Sequence, residues 1–342
     1  MNRSSIGRLL VLLTSLVLLL AACGGGDSDS ESSEAAAGGA DAGAEPAASE
    51  PDDIERGEVS VGSTDFTEQQ IVAEMYALVL EDAGYTVDRR YQLGSREVVF
   101  PALQGGELDV TAEYVGTLLE FINGGAGEAT SDTQETLGLL QDQLPDGLTM
   151  LEPSEAQDKN ALALTQATAD ELGATAVSDL QSQASELVLG GPPECPQRPL
   201  CLPGYEDTYN LEFASFSPLD AGGPLTTEAL NEGDIDVGLV FSTQGAIAAN
   251  DWVVLEDDEG LQPAENITPA VREEILNGEV EELLNAVSAA LTTEKVIELN
   301  RRVDIDGEAV EDVVQEFLET EGVLGGGAAA GSDAPAASES GS

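Results

Sequence analysis

The chain has 342 residues, with 66 acidic against 12 basic side chains and a formal net charge of -54. A surface this acidic repels nucleic acids and anionic headgroups, so we expect neither as a partner. The sequence has no histidine, which excludes Ser-His-Asp and Cys-His nucleophilic sites and HExxH metal sites. A pair of carboxylates can hydrolyse glycosides, but in a chain with so many acids such a pair is weak evidence for that activity. A binding protein without cofactor is therefore the favoured class.

The N-terminus has the anatomy of a secretory signal. Two arginines and no acid precede an uncharged, largely apolar run over residues 9–22. The run ends in LAAC, which resembles a bacterial lipobox, so we predict a lipoprotein signal peptide over residues 1–22 and a lipidated Cys23. A plain transmembrane anchor is the alternative, although the run is shorter than the about 20 residues that span a bilayer. The sequence thus predicts lipid anchoring at the cell membrane, on the extracytoplasmic side.

Low-complexity segments flank the part of the chain that can fold. Residues 23–56 and 325–342 are rich in Gly, Ser, Ala, Asp and Glu, and we predict a disordered tether and a disordered tail. The remaining residues, about 57–324, are enough for two lobes. Because the acidic surface repels itself at low salt and is screened at high salt, we hypothesise a saline medium; an ordinary acidic exported protein is the alternative.

Two further cysteines remain for the folded part. Cys195 and Cys201 flank the sequence PQRPL, and an even pair in an oxidising compartment predicts a disulfide that closes a small loop. Two thiols without histidine are too few ligands for structural zinc, so we expect no metal site.

The first half of the folded part alternates between strands and helices. The predicted elements are strands over 59–61, 86–93 and 107–114 and helices over 67–84 and 94–103. Thr67 is the predicted cap of the first helix and Gly84 its end. This alternation is typical of an α/β fold with parallel strands.

A helix–turn–strand unit occurs twice. Residues 102–110 (ALQGGELDV) resemble residues 229–237 (ALNEGDIDV), and an aromatic residue follows each strand at Tyr114 and Phe241. Chance similarity of two common units is the alternative to two similar lobes. In open α/β sheets ligands lie outside the C-terminal ends of the strands, so the repeat predicts that both rings lie near one cleft.

The rest of the chain supplies strands and helical scaffold. We predict a crossing strand over 159–165, a helix and strand over 178–191, a loop and helix over 217–230, a strand over 253–258 that returns to the first lobe, and helices over 273–322.

Several motifs in order along the folded part carry a family resemblance. The segments are GSTDFTEQ (62–69), LGS (93–95), GELD (106–109), EYVGT (113–117), RP (198–199), LPGY (202–205) and FST (241–243). Together they resemble osmoprotectant substrate-binding proteins of ABC importers, of the glycine betaine, carnitine and choline type.

The resemblance implies a type II periplasmic-binding-protein fold, with two α/β lobes joined by a hinge. We assign residues 57–157 plus 241–324 to lobe 1 and residues 158–240 to lobe 2. It also implies a protein that captures a small zwitterionic or quaternary-amine solute and delivers it to the permease subunits of an ABC importer. We expect this protein to be a monomer. A binding protein for an amino acid or polyol, and a surface lipoprotein without a small ligand, are the alternatives.

In this family an aromatic cage holds the quaternary ammonium group, while lysine, arginine and threonine hold the carboxylate. The resemblance therefore implies cage walls at Tyr114 and Phe241 and carboxylate partners at Thr117 and Arg198. The remaining implied ligand-binding residues are Thr64, Ser242 and Thr243.

The chain departs from the family pattern at three positions. Thr64 stands where the family has lysine, and Ala161 and Glu265 stand where cage tyrosines are expected. Three alternatives follow: a weak cage, a cage that recruits another ring such as Phe66 or Phe216, or a site for another solute. Glu265 is a candidate to contact the cation directly.

Overall fold

A computed structural model of the protein describes residues 56–325. The predicted signal peptide, Cys23 and nearly all of the predicted tether and tail lie outside these residues. In the described range, no helix is both long enough and apolar enough to cross a membrane.

Residues 56–325 form ten strands, eleven α-helices and three short 3₁₀ helices. The strands are β1 (Glu58–Gly62), β2 (Thr86–Arg90), β3 (Val110–Tyr114), β4 (Leu148–Met150), β5 (Asn160–Leu164), β6 (Val188–Gly191), β7 (Ser215–Pro218), β8 (Val237–Phe241), β9 (Val253–Val254) and β10 (Ile267–Arg272). The α-helices are α1 (Thr67–Asp82), α2 (Arg96–Gly105), α3 (Val115–Ile122), α4 (Thr133–Gln143), α5 (Gln166–Leu172), α6 (Leu202–Tyr209), α7 (Pro224–Glu232), α8 (Gly245–Ala249), α9 (Gly278–Ala290), α10 (Thr293–Asp304) and α11 (Val310–Thr320). The 3₁₀ helices are Val177–Ser182, Ala184–Glu186 and Cys195–Gln197.

Two five-stranded sheets share one topology. Their strand orders are β2-β1-β3-β10-β4 and β7-β6-β8-β5-β9. In each sheet the first three strands are parallel and the fourth is antiparallel to both neighbours. Each sheet is the centre of one α/β lobe, with apolar cores packed around it. This is the two-lobed type II periplasmic-binding fold that the family resemblance implied.

The repeated unit is a true structural repeat. It forms α2 and β3 in the first lobe and α7 and β8 in the second, so both copies supply the middle strand of a sheet. Gly106 and Gly233 end the two helices with φ of 76° and 78°, a conformation that glycine adopts without strain. Asp109 and Asp236 then each accept a 2.8 Å hydrogen bond from the backbone N–H of the neighbouring strand. The repeated acid therefore fastens the middle strand to its neighbour.

Two segments, residues 151–159 and 255–266, connect the lobes. They pair through Gln157 and Asn266, and Asp158 N donates to Glu265 O at 3.0 Å. The prediction that residues 253–258 return to the first lobe is wrong, because Val253–Val254 pairs with β5 in the second sheet. The predicted lobe 1 segment therefore does not begin at residue 241, since β8, which ends at Phe241, and β9 both belong to the second sheet. The first sheet instead receives β10, whose Pro269 lies opposite Ala112. Proline normally argues against a central strand, which is why the sequence did not reveal β10.

The predicted cap of α1 is also wrong. Phe66 is the N-cap and Thr67 is the first helical residue, and the Thr67 hydroxyl donates to Asp304 at the end of α10. Thr67 therefore ties α1 to a helix 237 residues further along the chain.

Candidate functional site

A cleft of about 370 Å³ lies between the lobes. Tyr114 is the last residue of β3 and Phe241 the last residue of β8, and both line the cleft. The cleft therefore lies at the C-terminal ends of the two middle strands, where open α/β sheets bind ligands.

Three aromatic rings form one wall of the cleft. The Phe66 centroid lies 4.9 Å from that of Phe241 and 6.4 Å from that of Tyr114. Phe66 and Tyr114 belong to the first lobe and Phe241 to the second. Phe216, the other ring suggested by the sequence, packs instead against the core of the second lobe. Aromatic faces attract cations through the ring quadrupole, so the three rings suit a ligand that carries a methylated cation.

A buried ion pair lies on the first-lobe side of the cleft. Arg96 Nε donates to the two oxygens of Glu113 at 2.9 and 3.1 Å, and Arg96 Nη2 donates to Thr117 Oγ1 at 2.9 Å. Arg96 is 9% exposed and Glu113 3%. Thr117 lines the cleft, as the resemblance implied, but its hydroxyl already contacts Arg96.

Arg198 lies in the wall formed by the second lobe, and it reaches across the cleft. Its guanidinium donates to Glu97 of α2 at 2.9 and 3.2 Å and lies 3.2 Å from Glu194. Burial alone would raise the pKa of Glu97, but hydrogen bonds from Arg198 and Ser95 outweigh it and hold the pKa at about 2. Arg198 and Glu97 therefore form an ion pair between the lobes.

The loop that carries Arg198 is closed by a disulfide between Cys195 and Cys201, the pairing that the sequence predicted. Arg198 N donates to Cys195 O at 3.2 Å, and Cys201 N donates to Arg198 O at 3.0 Å. The cross-link and these two bonds fix the backbone on both sides of Arg198.

The three hydroxyl residues implied by the resemblance have different places. Thr64 lines the cleft, and among the described residues its Oγ1 has no hydrogen-bond partner. Ser242 and Thr243 do not line the cleft; Ser242 Oγ and Thr243 N both donate to Asp158, at 3.3 and 3.1 Å. Their role in the structure is to hold a carboxylate that does line it.

Two buried carboxylates lie near the aromatic rings, Asp158 in the cleft wall and Glu68 behind Tyr114, and sequence reasoning missed both. Asp158 is 6% exposed and Glu68 2%. Glu68 accepts hydrogen bonds from the hydroxyls of Tyr114 and Thr243 and from the amide of Asn300. Burial raises the pKa of both groups, and the neighbouring charge of Glu68 raises that of Asp158 further.

Glu265 lies behind Thr117 instead of in the cleft wall. Its Oε2 accepts from Thr117 N at 3.0 Å and from Thr117 Oγ1 at 3.3 Å, and among the described residues its Oε1 has no partner. Burial raises the pKa of Glu265 to about 8, against the opposing effects of the Thr117 hydrogen bonds and the charge of Arg96. Glu265 therefore holds Thr117, which does line the cleft.

The missed residues had only a weak signal in the sequence. Glu68 lies inside GSTDFTEQ, and Arg96 directly follows LGS. Asp158 precedes the predicted crossing strand, but nothing distinguishes it from the other acids.

Two lobes of this topology, connected by two crossing segments and enclosing a cleft, form the architecture of a solute-binding protein. Residues 57–320 match the family described as the substrate-binding domain of the ABC-type glycine betaine transport system. The chain belongs to this family.

Individual relatives agree with this assignment. The chain is 27% identical to the glycine betaine-binding protein YehZ of Escherichia coli over 276 residues, which cover 77% of this chain and 90% of YehZ. It is 30% identical to a glycine-betaine-binding protein of Pseudomonas aeruginosa over 282 residues, covering 79% and 89%. A solved structure of a glycine betaine/carnitine/choline ABC transporter is 26% identical, with a TM-score of 0.62 and coverage of 78% and 99%.

Proposed function

We propose that this chain is the membrane-anchored receptor of an ABC importer and that its cleft captures a compatible solute with a quaternary ammonium group. Glycine betaine and related amines are the solutes that its relatives' names suggest. The receptor then delivers the solute to the permease subunits, and lipid on Cys23 holds it at the extracytoplasmic face of the membrane, most simply as a monomer.

The observation that carries the proposal is the set of three rings contributed by both lobes. A quaternary ammonium group has no N–H to donate, so it cannot be held by hydrogen bonds from its nitrogen. Ring faces attract it at about 0.5–2 kcal/mol per ring. Phe66 and Tyr114 come from the first lobe and Phe241 from the second, so a cation bound among them contacts both lobes and favours the closed form.

Isothermal titration calorimetry against a defined panel tests the proposal. The panel contains glycine betaine, carnitine, choline, an amino acid and a polyol, all at the same ionic strength. We expect heat from the quaternary amines only. Binding of only the amino acid or the polyol would replace this proposal with the corresponding alternative, and no binding at all would favour a surface lipoprotein without a small ligand.

A pair of phenylalanine variants tests the location of the site. Phe241→Ala removes one ring of the cleft and should weaken quaternary-amine binding by about 0.5–2 kcal/mol, with lost packing in addition. Phe317→Ala makes the same change on α11, outside the cleft, and should leave the affinity unchanged. Equal effects of the two substitutions would place the ligand elsewhere.

A further inference from the structure

The charges that line the cleft are mainly negative. Six carboxylates and two guanidinium groups, those of Arg96 and Arg198, belong to its wall. The six carboxylates are those of Asp65, Glu97, Glu113, Glu120, Asp158 and Glu194. The cleft should therefore bind a ligand with a net positive charge more tightly than a ligand with no net charge.

Both arginines already have protein carboxylates as partners. Arg96 donates to both oxygens of Glu113, and Arg198 donates to both oxygens of Glu97 with Glu194 also in ion-pair range. No lysine is among the described residues that line the cleft, and Thr64 in its wall is uncharged. A ligand carboxylate would have to displace a protein carboxylate from an arginine to gain a charge-assisted hydrogen bond.

Unlike the two arginines, the buried carboxylates near the rings have no partner of opposite charge within residues 56–325. Asp158 lines the cleft, and Glu68 accepts a 2.6 Å hydrogen bond from the Tyr114 hydroxyl. Within residues 56–325 the partners of both groups are neutral hydroxyls, amides and backbone N–H groups, and neither forms an ion pair. Burial without a cationic partner raises the pKa of both carboxyl groups, and a ligand cation among the rings would favour their ionised forms.

Two polar atoms in the wall add a requirement for a hydrogen-bond donor. Across the described part of the chain, Thr64 Oγ1 and Gln69 Oε1 are buried and have no hydrogen-bond partner, and both residues line the cleft. An amide oxygen only accepts, whereas a hydroxyl both donates and accepts. An alcohol on the ligand can satisfy the Gln69 oxygen, but a carboxylate cannot.

We propose that the cleft selects a quaternary ammonium cation that carries a hydroxyl and no carboxylate, an amino alcohol of the choline type, in preference to a zwitterionic betaine. Asp158, with Glu68 behind Tyr114, provides the counter-charge for the ammonium group. This inference rests on the proposed function, because it specifies which quaternary amine the same cleft takes.

The test compares three probes by calorimetry on the exported chain: choline, glycine betaine and 3,3-dimethylbutan-1-ol, the uncharged carbon analogue of choline. We expect choline to bind roughly tenfold or more tightly than either other probe, a ratio that corresponds to 1.4 kcal/mol or more. Glycine betaine binding as tightly as choline, or more tightly, would overturn the inference while leaving the proposed function intact. Absence of binding by both quaternary amines would overturn the proposed function itself.

Asp158→Asn keeps the shape of the side chain and removes its charge. It should weaken choline about tenfold and change the uncharged analogue less than twofold, so that the two affinities converge. Asp142→Asn makes the same change at an exposed position of α4 and should leave all affinities within twofold. An unchanged choline affinity in Asp158→Asn would refute the assigned counter-charge, and if that variant does not fold, the ratio of choline to its uncharged analogue in the native chain decides.

Discussion

The ionisation of the buried Glu265 should make the free energy of unfolding depend on pH. Its side chain is 1% exposed and one of its oxygens has no partner among the described residues. Burial raises its pKa from the ordinary value of 4.5 to about 8. The folded protein therefore holds a proton on Glu265 that the unfolded chain releases above about pH 4.5.

The sign of the pH dependence follows from this difference. Between about pH 4.5 and pH 8 the native state binds more protons than the unfolded state, so the free energy of unfolding falls as pH rises. At 1.36 kcal/mol per pKa unit, the full loss is about 5 kcal/mol. Because the site relaxes and admits water when a buried group ionises, we expect about 3 kcal/mol.

Glu265→Gln removes the titration with little change in shape, and its amide oxygen can still accept from Thr117. Urea unfolding of the native chain and the variant at several pH values from 5 to 9 measures the effect. The variant should gain about 3 kcal/mol relative to the native chain over this range. Glu68 and Asp158 are present in both proteins, so their own pH dependence cancels in the difference.

Glu259→Gln is the matched control, since Glu259 is exposed on the same connecting segment. Its unfolding free energy should run parallel to that of the native chain at every pH. If Glu265→Gln also runs parallel, the carboxylate does not keep its proton in the folded state and the reasoning fails.

The remaining predictions concern the cleft, the anchor and the loop. Glu97→Gln removes one partner of Arg198 and should raise the affinity for glycine betaine several-fold relative to choline; an unchanged ratio in calorimetry would mean that Glu97 does not compete with the ligand. Cys23→Ser should release the protein from the membrane fraction or leave an uncleaved precursor, and normal lipid labelling of this variant would contradict the predicted anchor. Replacing Cys195 and Cys201 together by serine should cost about 2 kcal/mol of unfolding free energy for so short a loop, measured by urea unfolding, whereas an unaltered midpoint would show that the neighbouring hydrogen bonds suffice to hold the loop.

The sequence predicted those features that repeat or that depend on local pattern. The duplicated unit located both middle strands and placed Tyr114 and Phe241 at their ends, since the glycine turn and the strand acid are needed locally in each copy. The disulfide followed from the count of cysteines. Each of these features is set by residues close together in the chain.

Features made by distant parts of the chain were not predictable in the same way. Arg198 was assigned to a ligand carboxylate, but its Glu97 partner lies 101 residues away, in the other lobe. Burial of Glu68 requires α1, α10 and residue 243 to meet, and a chain with 66 acids gives no indication which of them is enclosed. The strand at Val253–Val254 was assigned to the wrong sheet because its apolar residues suit either.

The position of β10 has a consequence for how the chain acquires its structure. β10 lies between β3 and β4 in the first sheet, and β4 has β10 as its neighbour in that sheet. Since β10 follows the whole second lobe in the chain, the first lobe cannot close its sheet while it emerges, and β4 must wait for a segment more than 100 residues downstream. Long-range pairing of this kind slows folding. For the exported chain proposed above, this delay would keep the first half unfolded until β10 has been synthesised.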